Sequence, residues 1–255
     1  MVLLKYSLFF LLCNLLFINS GKTTPIDYLA TAEEMLTAIK NKEDVTNFRK
    51  TFELANEDQL AAQLGTDEQK IAFWVNIYNA YIQDILYKNP EKYNDRGIFF
   101  KSKQIPISGR LLSFADIEHG IIRRSQHEFF LGYLTRPFAS DFEKKFRVKH
   151  RDYRIHFALN CGAKSCPPVA VYEWTRLSEQ LDKSTKAYLS KFTVLKKDEN
   201  TAYITSLFSW FRGDFGGLDG IKNILLKFGL IPDKDIRLKT STYDWTLDLG
   251  NFIEW

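Results

Sequence analysis

Apolar positions recur at helical spacing through the first half of the chain and give way to short runs in the second. From Asp27 to about Asn56, Leu29, Met35, Ala38 and Ile39 share a face with charges filling the gaps, which predicts two exposed amphipathic helices. The pattern strengthens from Glu68 to about Tyr87, where Ile71, Trp74, Val75, Tyr78, Ile82 and Ile85 form one broad apolar stripe that ends before Asn89-Pro90. Asn76, Asn79 and Gln83 run down the same rod as a second, uncharged polar line. Buried amides need partners, so this line is either a face that bonds neighbouring loops or the lining of a cleft.

Gly97 to Leu112 is expected to be extended, with Ser108-Gly109 as the hairpin turn. Ser113 to Asp116 resembles a capping box with aspartate in the acidic position, and a helix follows through Arg124. On that helix Glu118 shares a face with Ile121 and Ile122, where a carboxylate is costly unless something donates to it. His119 points about 100° away, toward Arg123 and a groove. Ile155 to Leu159 is an apolar strand that delivers Asn160 and Cys161 into a short loop, which returns Cys166 just before Pro167-Pro168. A surface helix over Ser178 to Phe192, a strand over Ala202 to Leu207, an aromatic turn over Phe208 to Gly217 and a helix over Leu218 to Phe228 come next. Ile236 to Leu249 then closes the chain as a strand or hairpin. Helices first and short, mostly non-consecutive strands later predict an α+β fold, with a helical N-terminal part on a small, mostly antiparallel sheet.

Residues 1–20 carry a single charge, Lys5, and then an apolar stretch from Tyr6 to about Ile18. That is the layout of a secretory signal, with Ile18 and Ser20 placed for cleavage before Gly21. The stretch is shorter than the ~20 residues a membrane span needs, although an uncleaved anchor is the alternative. Leu12 before Cys13 argues against a lipoprotein signal. Removing the segment takes one of the 35 basic residues and leaves 34 against 31 acidic ones, a net charge of +3. That balance does not suggest a nucleic-acid or anionic-membrane surface, and neither partner is expected. The expected mature protein is therefore a secreted or periplasmic monomer without a membrane span, made of a helical cap (21–66) and a single α+β domain (67–255). Its 15% aromatic content supports a substantial core.

With Cys13 in the signal segment, Cys161 and Cys166 carry all the remaining sulfur chemistry. Two cysteines in an exported protein usually pair, although a loop this small gains little entropy from closure. A nucleophilic thiolate needs a base or a local positive potential. Cys161 ends an apolar strand, and the Gly-containing turn after it has backbone N–H groups that could meet an oxyanion. Among the four histidines, His127 and His150 lie in charged segments, and His156 reads as a hydrogen-bonded core or sheet residue. His119, with Glu118 to orient it, is the best candidate base. A zinc site is a poor match, because two cysteines four residues apart with one distant histidine do not supply four ligands. No metal or cofactor is expected.

Four segments, AFWVNIYNAYI (72–82), LSFADIEHGIIR (112–123), RIHFALNCGAKSCPP (154–168) and FSWFRGDFG (208–216), together resemble the family known as domain of unknown function 547. The likeness runs from about Asp67 to Gly217, and the YDW at 243–245 extends it. The family occurs in exported bacterial proteins. The resemblance implies a core similar to papain-like and transglutaminase-like cysteine enzymes and a Cys-His-Glu site at Cys161, His119 and Glu118. It implies a hydrolase or acyl transferase acting on a peptide, amide or thiol-conjugate bond. The other class of function is a secreted binding or scaffold module stapled by a Cys161–Cys166 disulfide.

Overall fold

The computed structural model describes residues 25–255, so the signal segment expected at 1–20 lies outside the described residues. The first apolar pattern becomes α1 (Tyr28–Lys40) and α2 (Thr46–Glu53), followed by a short α3 (Glu57–Gln63). Asp27 and Asn56 cap α1 and α3 by accepting from backbone N–H groups of their first turns. The apolar face of α1 is not an exposed element. Tyr28, Ala32, Met35 and Leu36 are buried, and α1 lies along α4 (Asp67–Lys88).

Helix α4 is the centre of the molecule. A capping box between Thr66 and Gln69 starts it, and nearly every side chain from Lys70 to Leu86 is buried. Trp74 is fully enclosed, edge-on to Phe73, Phe142 and Phe146. The polar line is also inside, and it bonds loops. Asn76 accepts from Tyr172 N–H at 2.9 Å and donates to Tyr172 O at 2.8 Å. Asn79 accepts from Asn160 N–H at 2.8 Å and donates to Ala158 O at 3.0 Å. Gln83 donates to Asn160 Oδ1 at 3.2 Å and accepts from Gly250 N–H at 2.9 Å. These amides take the place of a strand ladder in holding the segment from Ala158 to Tyr172. The line is a loop-bonding face and does not line a cleft.

Only part of the extended stretch expected before the hairpin is extended. Arg96–Lys101 forms α5, because Asp95 accepts from Ile98 N–H and supplies a cap. The hairpin of β1 (Ile105–Ile107) and β2 (Arg110–Leu112) turns at Ser108-Gly109. Both turn residues take positive φ, as the twist of a two-residue hairpin requires. Ser113 and Asp116 then bond reciprocally, at 2.7 Å and 3.1 Å, as expected of a capping box. The segment they open, Asp116–Ile122, is a π-helical turn.

After α6 (Asp141–Phe146) the chain departs from expectation at Ile155 to Leu159. No strand forms there. Asp152 accepts from Arg154 N–H, and Tyr153–Phe157 winds as a 3₁₀ turn. Four apolar residues around His156 fit a buried strand and a buried helical turn equally well, and packing on both sides decided for the turn.

The remaining elements are α7 (Leu177–Phe192), β3 (Val194–Lys196), β4 (Thr201–Ile204), α8 (Leu207–Trp210), α9 (Gly217–Lys227) and β5 (Arg237–Thr240). β3 and β4 pair antiparallel, whereas β5 joins β4 in parallel. This α+β fold has one core around α4 and a second around Phe157, Tyr188, Phe208 and Phe215. Only the start of the expected terminal strand is a strand. From Ser241 onward the chain is a strap along the cysteine loop, tied by Lys164 N–H to Thr246 O and by Ile253 N–H to Val169 O. Among the described residues no helix is long and apolar enough to cross a membrane.

Candidate functional site

The cysteine loop is braced from three sides. Asn160 Nδ2 donates to Pro167 O at 2.7 Å, and its Oδ1 accepts from Gly162 N–H at 2.9 Å, so one buried side chain spans the loop. The amides of α4 hold it from behind, and the C-terminal strap covers it. Within that frame Cys161 and Cys166 are joined as a disulfide, with Cα atoms 6.1 Å apart. Cys166 is buried. The Tyr243 hydroxyl lies 3.5 Å from Cys161 Sγ and 3.2 Å from Cys166 Sγ.

Glu118 and His119 come from the π-helical turn, in which Arg123 N–H reaches Glu118 O, five residues back, at 2.8 Å. Both side chains are about one-sixth exposed, at 17% and 16%. Glu118 Oε2 accepts from the Tyr78 hydroxyl at a long 3.4 Å. Burial raises the Glu118 carboxyl above the usual range, although the nearby Arg123 charge opposes the rise. Glu118 lies 3.8 Å from His119 Nδ1 and does not orient it, because that nitrogen is taken by Arg123 Nη1 at 2.6 Å.

Arg123 leads to a buried ionic centre. It is 1% exposed, and its Nε donates to Asp214 Oδ2 at 2.6 Å while its guanidinium lies 4.6 Å over the Phe211 ring. Asp214 also accepts from His156 Nε2 at 2.8 Å and from Arg151 Nη1 at 2.8 Å. Burial alone would raise the Asp214 carboxyl, but hydrogen bonds and charge from His156 and Arg123 hold it down to about 2. Burial lowers His156 despite its carboxylate partner. Burial first, and then the Arg123 and Arg136 charges, push His119 down to about 3. Asp214 is carried on a turn that packs backbone to backbone. A Cβ on Gly213 would lie 2.7 Å from Gly132 C, and one on Gly132 would lie 2.5 Å from Asp214 Oδ1.

A cavity of about 390 Å³ joins these parts. Cys161, His119 and Glu118 all line it, together with His156, Phe211 and Tyr243. The structure thus brings the three expected site residues to one cavity but does not bring Cys161 and His119 into contact. Among the described residues Cys161 Sγ has no hydrogen bond to a histidine, and its polar neighbour is Tyr243. The histidines set aside on sequence grounds divide. His150 is exposed and pairs with Asp67, whereas His156 is a hydrogen-bonded core residue that also lines the cavity.

Residues 62–189 match the family model described as "Protein of unknown function, DUF547". The chain belongs to that family. No curated protein and no solved structure is significantly similar to it. The matched span contains α4, the π-helical turn and the whole cysteine loop. Asp214 and Tyr243 lie beyond it, although both complete the site. Asp214 was legible only as part of the FSWFRGDFG turn, and nothing in local spacing connects it to Arg123, 91 residues earlier.

Two histidines kept neutral by burial make stability depend on pH. As pH falls below the unfolded histidine value of about 6.5, the unfolded chain binds protons that folded His119 refuses until about pH 3. Stability therefore falls with decreasing pH across that interval. The raised carboxyls of Glu118 and of Glu33, at about 7, act in the opposite direction, so the His119 contribution is isolated by comparison with a variant. Relative to His119→Gln, the wild type is expected to lose ~1.4 kcal/mol per pH unit between about pH 4 and pH 6, measured by urea unfolding. Parallel pH profiles would show that His119 titrates normally in the folded protein.

Proposed function

We propose that the disulfide form of this protein is a non-catalytic ligand-binding module that holds a small molecule in the cavity lined by Tyr78, His119 and Cys161. One observation carries this reading: the sulfur that would be the nucleophile is already bonded to Cys166 in the cavity wall. The histidine assigned as its base has Nδ1 bonded to a guanidinium. A concave site whose exposed wall is mainly apolar, with aromatic rings such as Tyr78, Phe211 and Trp245 and with polar side chains converging on it, is the usual form of a small-molecule site. Export through residues 1–20 into an oxidising compartment belongs to the same proposal, since it would keep the bridge closed.

The second reading is a cysteine-dependent hydrolase or acyl transferase with a papain-like or transglutaminase-like core. It is favoured by the meeting of Cys161, His119 and Glu118 at one cavity. It requires the bridge to be reduced, after which Cys161 would attack, with His119 as base and Glu118 as orienter.

Site-resolved alkylation separates the two. Iodoacetamide labelling is followed by peptide mass spectrometry at Cys161 and Cys166 individually, because Cys13 is a third cysteine in the full chain. Without reductant neither residue is expected to label. After reduction Cys161 is expected to label no faster than glutathione at neutral pH and to be indifferent to His119→Ala. Fast labelling that depends on His119 would replace the binding module with the enzyme.

A further inference from the structure

Four side chains form a continuous hydrogen-bonded chain behind the cavity. His119 Nδ1 meets Arg123 Nη1 at 2.6 Å, Arg123 Nε meets Asp214 Oδ2 at 2.6 Å, and His156 Nε2 meets the same Oδ2 at 2.8 Å. A guanidinium only donates and an ionised carboxylate only accepts, so every proton in the chain has an assigned place. His119 Nδ1 must accept, which puts that ring's proton on Nε2. His156 Nε2 must donate, and with the ring neutral its Nδ1 keeps a free lone pair. Neither leftover nitrogen has a protein partner among the described residues. Both rings line the cavity, His119 with 16% of its side chain exposed and His156 with 2%.

The arrangement is held in place. Phe211 stacks on His156 at 4.1 Å and lies under the Arg123 guanidinium. Turning either imidazole over would break its charge-assisted hydrogen bond to Arg123 or Asp214 and set a ring C–H against that buried group. Among the described residues, Glu118 at the cavity has no Lys or Arg partner, whereas most nearby cations are matched. Arg123 is paired with Asp214, and Lys101 with Glu128 at 3.0 Å. Arg96 lies 4.8 Å over the Trp245 ring and is the cation at the cavity without a carboxylate partner among the described residues.

We propose that His119 Nε2–H and His156 Nδ1 are a fixed donor–acceptor pair that selects an uncharged carboxamide-type group, carried on a planar apolar body. The inference rests on the ligand-binding reading and names the ligand class for it. A carboxamide offers its oxygen to the His119 donor and its N–H to the His156 acceptor. A carboxylate has no proton for His156 Nδ1, and an amidinium has no acceptor for His119 Nε2. Either mismatch leaves a buried polar group unpaired, which costs enough to lower affinity by about tenfold or more. Phe211 and Trp210 supply the apolar wall for the body of the ligand.

Benzamide, benzoate and benzamidinium carry the three head groups on one ring, and their affinities for the oxidised full chain can be measured by NMR titration at neutral pH. Benzamide is expected to bind about tenfold more tightly than either charged probe, and His119→Phe and His156→Phe are each expected to remove that preference. Independently of any variant, ring nitrogen shifts of the wild-type protein are expected to show the Nε2–H tautomer at both histidines. Equal or tighter binding of benzoate, as Arg96 would favour, or of benzamidinium, overturns the pairing and leaves the ligand-binding reading standing. A protonated ring or the Nδ1–H tautomer at either position also overturns it. If no probe perturbs the cavity, the pairing and the binding reading fall together.

Discussion

Replacing Asp214 by asparagine is expected to destabilise the protein by about 3–5 kcal/mol, a large fraction of the stability of a typical domain. Arg123 is 1% exposed, and Asp214 is the carboxylate that pairs with it. Asparagine keeps the volume and one acceptor but removes the charge, so a guanidinium stays buried without its counter-ion. Among the described residues Arg123 Nη2 already lacks a partner, so no spare acceptor is at hand to compensate. Arg123, His156 and Arg151 then share one amide oxygen, and the new NH2 group faces at least one of these donors. Urea unfolding of wild type and Asp214→Asn at neutral pH measures the effect, and a loss below about 1 kcal/mol would mean that water reaches Arg123.

Trp74→Ala is expected to cost a similar ~3–5 kcal/mol, for a different reason. The ring is fully buried in an aromatic cluster with Phe73, Phe142 and Phe146, contributed by α4 and α6, and its removal leaves a void that fixed neighbours cannot close. Trp74→Phe should cost much less, ~1 kcal/mol. Trp74 Nε1 is buried with no hydrogen-bond partner among the described residues, so phenylalanine gives up packing but no polar contact. If the Phe variant were as unstable as the Ala variant, an unseen partner of Nε1 would be indicated.

The two substitutions probe different supports of one site. Trp74 anchors α4, whose amides hold the cysteine loop. Asp214, on the turn after α8, ties Arg123 at the end of the π-helical turn to the 3₁₀ turn at His156. An Asp214 variant is therefore expected to disturb the cavity as well as the fold, since both histidines of the cavity are arranged through it.

Much of the local structure was legible in the sequence, because local periodicity has a local cause. The helix over Asp67–Lys88, its buried Trp74 and Tyr78, the Ser108-Gly109 hairpin and the Ser113–Asp116 box follow from side-chain spacing and turn chemistry. The α+β class and the family followed from the order of elements and from four motifs taken together. The disulfide was one of several readings of two cysteines, and their proximity in the fold chose it. Where local pattern was ambiguous it misled. Ile155–Leu159 is mostly apolar whether extended or wound, and only its enclosure by two cores made it a 3₁₀ turn. The end of the chain alternates as a strand would, yet after β5 its partner is a loop, so it became a strap.

Contacts between distant segments, and the electrostatics they create, were decided by the tertiary structure alone. His119 and Glu118 are neighbours in sequence, and their adjacency suggested an oriented base. The fold instead turns His119 Nδ1 to Arg123, and Arg123 to an aspartate 91 residues away. Hydrogen-bond direction in that chain is set by what each group can donate or accept, and burial sets which groups keep their protons. Neither property exists before distant segments meet. The sequence by itself therefore determined which residues are available for chemistry here, and the packing of the Asp214 turn against the π-helical turn decided which protons they hold.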